Sequence, residues 1–464
     1  MSFTTGESRW ADVWIAAAAR GTTICGDFLA ATALALALQG AGAGGLAVSG
    51  LLLAATLPLV VLAPLAGRLA DRMDSRSLLV TIGFAQAAIC ALLAVVEQPV
   101  LVVGLVTLLA CGLAVTQPCL AALLPAMVRP ADLPRASAIS QTAVSLGALG
   151  GPVLAGLLVG QFGTRVPLLL DAATYLALVV AGLLLRTRRG GRRPATSQAA
   201  ASSQAPAASQ AAASSQAVSG GVPTAGGTEI GWRLRRDPLM LVMVVSTAVV
   251  IAAIGGINVI EVFFIRETLG GSPTTYGLVS AAWMAGMLPG TWLAVRLARR
   301  LDDDGALVRG VLATLAVCSL MVLLAATVPA AGVLVPLWLV GGAANGGENV
   351  FANLLTARRV PEAMRARAYA SYGAAVQGGS MAGFLIGGAL LAVVPPRPLI
   401  AGAGVVGLLV VLVFVPVVTR AARRSSSAGL ATPGRPAEPE PAAGDTVGPW
   451  LSASHARGSG TSSS

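Results

Sequence analysis

The sequence predicts an all-α, polytopic membrane protein whose twelve transmembrane helices form two six-helix bundles, and three observations carry that prediction. Of the 464 residues, 55% are hydrophobic and only 11% charged, with a mean hydropathy of +0.79; soluble domains carry about 25% charged residues. The apolar residues stand in runs of roughly 20, the length that crosses a hydrocarbon core of about 30 Å. The first half of the chain also repeats in the second.

Taken in order, spans are expected at 13–38, 46–70, 78–96, 100–125, 137–161, 166–185, 239–265, 275–298, 307–326, 332–356, 368–392 and 399–418. The first run is too long for the apolar segment of a cleaved leader and lacks a basic stretch before it, so it reads as a retained helix. After the sixth span, an arginine-rich stretch gives way to an Ala/Ser/Gln tract at 195–218 that has too few apolar residues to bury a core. The domain boundaries follow: an N-terminal segment 1–12, a bundle 13–185, a flexible linker 186–238, a second bundle 239–418 and a Ser/Pro/Ala/Gly-rich tail 419–464.

All 31 basic residues are arginine. Of these, 27 lie at span ends or in segments on the side that holds both termini; Arg165, Arg266 and Arg397 lie opposite, and Arg20 falls within the first span. The bias predicts that both termini are cytoplasmic. Because the arginines cluster between apolar runs and not on one amphipathic face, the net charge of +11 implies no nucleic-acid partner.

Several chemistries are excluded by composition. Without lysine there is neither a phosphate-binding Walker lysine nor a Schiff base. Cys25, Cys90, Cys111, Cys119 and Cys318 lie inside apolar runs with no metal-ligand spacing, and the one histidine, His455, sits in the tail. No catalytic set, metal or cofactor is expected, and the chain does not read as an enzyme. Proton chemistry inside the membrane falls to carboxylates.

The internal repeat is visible in particular residues. Arg68-Leu69-Ala70-Asp71-Arg72-Met73-Asp74 after the second span is answered by Arg296-Leu297-Ala298-Arg299-Arg300-Leu301-Asp302 after the eighth. The fifth and eleventh spans align Arg135 with Arg367, Val144 with Val376, Gly147 with Gly379, Gly151 with Gly383 and Gly156 with Gly388. Parallel six-helix repeats with a substrate path between them are one transporter plan.

Gly67-Arg68-Leu69-Ala70-Asp71-Arg72-Met73-Asp74-Ser75-Arg76 resembles the signature loop of the major facilitator superfamily, with Asp74 in place of its second glycine. Cys25-Gly26-Asp27, Leu124-Pro125-Ala126-Met127-Val128, Asp171-Ala172-Ala173-Thr174-Tyr175, Arg266-Glu267-Thr268-Leu269-Gly270-Gly271-Ser272 and Arg359-Val360-Pro361-Glu362 resemble the branch of that superfamily containing macrolide, siderophore and drug exporters. The resemblance implies two bundles related by a pseudo-twofold axis. It also implies a cytoplasmic gate built on Gly67, Asp71, Arg72 and Arg76, with Asp71 and Arg72 latching onto the eleventh helix. Gly147, Gly151, Pro152 and Gly156 resemble the glycine-proline motif of antiporting members, where a proline kink biases the hinge.

Ionisable groups inside a membrane are costly and mark function by default. Asp27 ranks first and Glu348 second as proton-coupling carboxylates, with Arg20 as a releasable counter-charge; a structural ion pair or a satisfied polar residue is the plainer alternative. Asn345, Glu348, Asn349 and Asn353 share one helical stripe. Glu261 and Asp171 fall near the outer ends of their spans. Gln117, Asn258, Trp283, Met287, Asn345 and Asn349 are the substrate-cavity candidates, ordinary packing being the alternative for each.

The expectation is a proton-coupled secondary transporter that exports small hydrophobic or amphipathic compounds, such as drugs, antibiotics or siderophores. It would act as a monomer in a bacterial cytoplasmic membrane, with the lipid bilayer, protons and a small molecule as its partners. A facilitator or proton symporter importing a nutrient keeps the fold and reverses the task. A non-transporting sensor or scaffold would need partner-binding patterns that the linker and tail lack.

Overall fold

The computed structural model describes residues 8–187, 234, 237–301 and 303–430, and the side chains at 64, 67, 70–72, 363 and 421–430 fall outside that description. The described residues form fourteen α-helices with short 3-10 and π turns, and no strand. The chain divides into a compact unit, Met1–Ala422, and a second, Arg423–Ser464, of which residues 423–430 are helical. Most of the expected linker and tail lies outside the described residues.

Helix α1 (Trp10–Gly40) is the first crossing. The second is broken into α2 (Gly44–Val61) and α3 (Ala63–Arg72), because a proline in the first turn of α3 withholds an amide from the preceding turn. Helices α4 (Ser75–Leu93), α5 (Pro99–Met127), α6 (Leu133–Phe162) and α7 (Arg165–Leu184) complete the first half. In the second half one crossing is again segmented, into α8 (Pro238–Gly255), α9 (Ile257–Phe263) and a π turn at Phe264–Thr268. Helices α10 (Pro273–Ala298), α11 (Asp304–Ala325), α12 (Leu334–Arg359), α13 (Glu362–Leu390) and α14 (Pro396–Leu430) follow.

Ten of the crossings are long and apolar enough to span a membrane on composition alone. The other two, α12 and α13, are 26 and 29 residues long and fail only on apolarity. The first carries Asn345, Glu348, Asn349 and Asn353, and the apolar end of the second is diluted by Gln377, Ser380 and the glycines Gly378, Gly379, Gly383, Gly387 and Gly388. The periphery is apolar: Leu169, Leu176, Val180 and Leu183 of α7 are exposed along one stripe, while Leu168, Tyr175, Leu178 and Val179 are buried. A greasy outer face with the tighter packing inside is what a lipid-embedded bundle requires.

Polar side chains fix where helices start. The Asp74 carboxylate accepts the Ser77 amide at 3.3 Å and caps α4; Asp303 does the same for Ala306 at 3.0 Å at the start of α11. An acidic residue where the signature loop ordinarily has glycine therefore has a local purpose, as an N-cap. Asp237 caps α8 and also receives both oxygens' worth of contact from Arg359 Nε, at 3.1 and 2.9 Å, while Arg359 Nη1 reaches Asp304 at 3.0 Å. Burial opposes the guanidinium's charge, but the hydrogen bonds and attraction from Asp237 and Asp304 outweigh it and hold the Arg359 pKa above its ordinary value.

The repeat seen in sequence is realised as packing. Gly147 of α6 lies so close to α1 that an added Cβ would meet the Gly21 carbonyl and, at 3.0 Å, the Cys25 amide; Gly379 of α13 lies on Ala248 of α8, with a Cβ 2.5 Å from its carbonyl. Gly151 approaches Cys25 and Leu29, and Gly383 approaches Ala252 and Gly256 in the same way. Between the halves, Gly156 packs on Pro273 and Gly277 of α10, while Gly388 packs on Gly45 and Ser49 of α2. Each of these contacts is the repeat-mate of the other.

That pair of contacts closes one end of the molecule. Among the described residues, three hydrogen bonds cross between the halves: Thr274 Oγ1 to the Gly156 carbonyl at 3.3 Å, Ser49 Oγ to the Phe384 carbonyl at 2.6 Å, and Gln39 Nε2 to Glu267 at 3.1 Å. All three lie at the end away from the first and last described helix termini, so the halves are sealed together there.

Candidate functional site

Beneath that seal the halves enclose a cavity of about 330 Å³. The first half lines it with Phe28, Ala31, Thr32, Ala35, Leu52 and Pro152, a wall almost without hydrogen-bonding groups. The second half supplies the polar and large aromatic side chains, including Asn258, Glu261, Tyr276, Ser280, Trp283, Trp338 and Asn345.

The segmented seventh crossing aims two of these inward. At Gly256 the helix slips: the Val259 backbone amide donates to the Gly256 carbonyl, and the Asn258 side chain donates from Nδ2 to the Gly255 carbonyl at 3.1 Å. Glycine is required because α13 runs against this point, where a Cβ on Gly256 would stand 2.9 Å from the Gly383 carbonyl. One turn on, Glu261 enters the cavity wall, 7% exposed, with Ser280 Oγ donating to it at 3.5 Å and Trp338 as a second polar neighbour. Trp338 and Trp283 meet edge to face with centroids 6.4 Å apart, beside the carboxylate.

Asp27 takes a different place. Its side chain points between helices of its own half, where Tyr175 of α7 donates to it at 2.5 Å. Gly26 lets α7 approach, since a Cβ there would collide with Asp171 and Thr174. Asp171, fully buried, accepts from Cys90 of α4 at 3.1 Å and from Thr174 at 3.1 Å. The fragments Cys25-Gly26-Asp27 and Asp171 to Tyr175, far apart in the chain, thus form one polar cluster. Arg20 donates to Ser140 of α6 at 3.4 Å, its Nε is buried without a partner, and no ion pair joins it to Asp27 among the described residues. A small void beside it is lined by Thr116, Gln117 and Tyr175.

Glu348 of α12 is buried at 2% exposure and is likewise satisfied within its own half, by Tyr372 of α13 at 2.6 Å and Thr247 of α8 at 3.3 Å. Under the repeat contacts that match Gly21 with Ala248 and Cys25 with Ala252, Thr247 is the mate of Arg20, and Tyr372 corresponds to Ser140. Matching Pro130 with Pro361 brings Glu348 onto Gln117. Two matched three-helix junctions therefore hold opposite chemistry, a cation in the first half and a carboxylate in the second.

Of the cavity candidates, Asn258, Trp283 and Asn345 line the cavity; Gln117 lies by Arg20, Met287 packs its backbone on Gly346, and Asn349 donates to the Asn345 carbonyl at 2.9 Å. Pro152 lies within an unbroken α6, lines the cavity and presents its carbonyl to Gly277. The gate residues Gly67, Asp71 and Arg72 are on α3 with side chains outside the described residues, and Arg76 follows in α4. Sequence reasoning overlooked Glu261 as a cavity group and the tyrosines as carboxylate partners. A usable signal existed: the chain has four tyrosines, and Tyr175, Tyr276 and Tyr372 each stand beside an intramembrane carboxylate.

Known proteins place this arrangement. The sequence profile of a major facilitator family described as transmembrane secretion effector matches residues 6–436. No curated protein matches significantly in sequence. Among solved structures, the nucleoside transporter NupG is 14% identical, with a TM-score of 0.67 over 88% of this chain and 99% of that one. An auto-inhibited peptide transporter of the POT family is 14% identical, with a TM-score of 0.64 over 88% and 97%. A bacterial metal transporter is 16% identical, with a TM-score of 0.61 over 89% and 99%. At these identities the likeness is one of fold.

Proposed function

The chain belongs to the major facilitator family described as transmembrane secretion effector, a multi-pass membrane transporter by family and fold, and from that premise we propose that it exports small hydrophobic or amphipathic compounds by proton-coupled alternating access. One observation carries the reading: a largely apolar and aromatic cavity lies between two repeat-related halves, sealed at one end by the paired glycine contacts. With both termini cytoplasmic, as the arginine bias supports, the sealed end faces outside and the cavity awaits cargo from the cytoplasm or inner leaflet.

In this reading Asp27 carries the coupling proton, held by Tyr175, with Arg20 as counter-charge and Glu348 as a second carboxylate in the matched junction. Asp71 and Arg72, with Gly67 and Arg76, latch the cytoplasmic side in the opposite state. The protein works as a monomer in a bacterial cytoplasmic membrane. Nutrient uptake is the competing reading, favoured by the nucleoside and peptide transporters among its fold neighbours.

Proteoliposomes loaded with acid and a pH-sensitive dye separate the two. A panel of amphipathic compounds is expected to draw protons out of vesicles containing the wild-type chain and not Asp27→Asn. Compound entry along with protons would favour uptake, and silence across hydrophobic and polar panels would overturn the transport assignment in either direction.

A further inference from the structure

We propose that the corner of the cavity formed by Glu261, Trp283, Trp338 and Tyr276 binds the positively charged group of its cargo, so that the cavity selects amphipathic organic cations. This rests on the transporter reading above and narrows its substrate class.

The charge inventory points to a cation. Glu261 is the single charged residue among those lining the cavity, and none of the described ion pairs includes it. Arg266, the nearest arginine in sequence, donates from Nη1 to the Gly271 carbonyl at 2.6 Å, and Arg397, whose guanidinium lies over the Phe264 ring, donates from Nη2 to the Val328 carbonyl at 3.1 Å. A carboxylate held in low dielectric without a counter-charge attracts a cation strongly and repels an anion. Its other polar neighbours, Ser280, whose hydroxyl donates at 3.5 Å, and Trp338, are neutral and do not offset its charge.

The surrounding surfaces suit an organic cation better than a metal ion. Trp338 and Tyr276 neighbour the carboxylate and Trp283 meets Trp338 edge to face in the same cavity wall, and aromatic faces attract ammonium and phosphonium groups while accommodating their hydrocarbon substituents. A hard divalent ion would need several oxygen ligands, and the corner offers a single carboxylate. Opposite stands the apolar wall of Phe28, Ala31 and Leu52, which fits the hydrocarbon remainder of an amphipathic molecule. Anionic siderophores are thereby disfavoured.

Tetraphenylphosphonium and tetraphenylborate test this directly, because they share shape and hydrophobicity and differ in sign. Titrated into purified full-length protein by calorimetry, the phosphonium is expected to bind, the borate to bind at least about tenfold more weakly, and Glu261→Gln to weaken the phosphonium by about tenfold. Thermal unfolding of Glu261→Gln confirms that this near-isosteric variant is folded, and Glu261→Asp is expected to restore part of the affinity. Equal affinity for both ions, no phosphonium binding by the wild type, or unchanged binding by folded Glu261→Gln would overturn the proposal. Proteoliposomes of the same preparations keep the two readings apart. Transport of neutral compounds without phosphonium preference would leave the exporter standing and remove the cation site; Glu261-dependent binding with no transport of anything would do the reverse.

Discussion

The two halves share a backbone plan and divide its chemistry. In the first, the ionisable groups Arg20, Asp27 and Asp171 turn between that half's own helices and leave Phe28, Ala31, Thr32, Ala35 and Leu52 to face the cavity. In the second, Glu348 is buried with Tyr372 and Thr247, but Glu261, Asn258 and Asn345 reach the cavity together with both tryptophans. The difference teaches that a repeat constrains where helices cross, through residues such as Gly147 and Gly379, and leaves side chains on the remaining faces free to diverge. We read the division as one of labour, with the coupling proton centred on Asp27 of the first half, Glu348 as a second carboxylate in its matched junction, and the cargo bound by the second half.

The largest effect should come from the seam on which both halves depend. Gly277→Val places a branched side chain against the Pro152 carbonyl and Gly156. Overpacking of this kind costs about 1–3 kcal/mol, and it should force the sealed end open and abolish transport. Spin-label distances across the end of α6 and α10 would report the opening. The mate, Gly388→Val against Ser49, should behave alike; a silent mate would break the symmetry of the closure.

Next come the tyrosines. Tyr372→Phe leaves the buried Glu348 carboxyl short of a donor and should cost about 1–3 kcal/mol of stability, read by thermal unfolding in detergent. Tyr175→Phe acts on Asp27, which is partly exposed, and should cost less in stability and more in proton flux. If the two variants behave identically, the proposed division loses its support.

Smaller again are the caps. Asp74→Ala and Asp303→Ala should each destabilise by about 1 kcal/mol, and Asp74→Gly by only a few tenths. The Arg359 network adds a pH statement. Its folded pKa is raised, so its contribution is fully present below the ordinary arginine range and lost only as pH climbs through the folded value. Stability measured from about pH 6 to 9 should carry no slope from Arg359, and an Arg359→Gln difference that varies over that window would contradict the assignment. The smallest effect is Gln39→Ala, an exposed contact to Glu267 at the rim, expected within about 0.5 kcal/mol.

Much of the architecture was legible because membrane spans are set by hydropathy and length. The twelve crossings, the repeat and the pairing of Gly147 with Gly379 follow from residues that must be apolar or small wherever helices cross. The breaks in the second and seventh crossings were less visible, since each depends on how a neighbouring helix, α13 in the case of Gly256, meets the chain. Position along a helix gives depth and not direction, which is why Glu261 read as a rim residue and turned out to face the cavity. The same limit applied to Asp171, whose partner Cys90 is 81 residues away. Asp27 and Glu348 were selected by charge and depth alone, and their tyrosine partners come from helices whose adjacency only the fold supplies.

The division of labour is tested most directly by measuring binding and proton flux on one preparation. Tetraphenylphosphonium affinity by calorimetry and compound-driven proton release from proteoliposomes would be compared for wild type and Asp27→Asn. Asp27→Asn is expected to keep its affinity within about threefold while proton release falls by about tenfold or more. Parallel loss of both, in a variant that still unfolds at the wild-type temperature, would contradict that division and join the two halves in a single site.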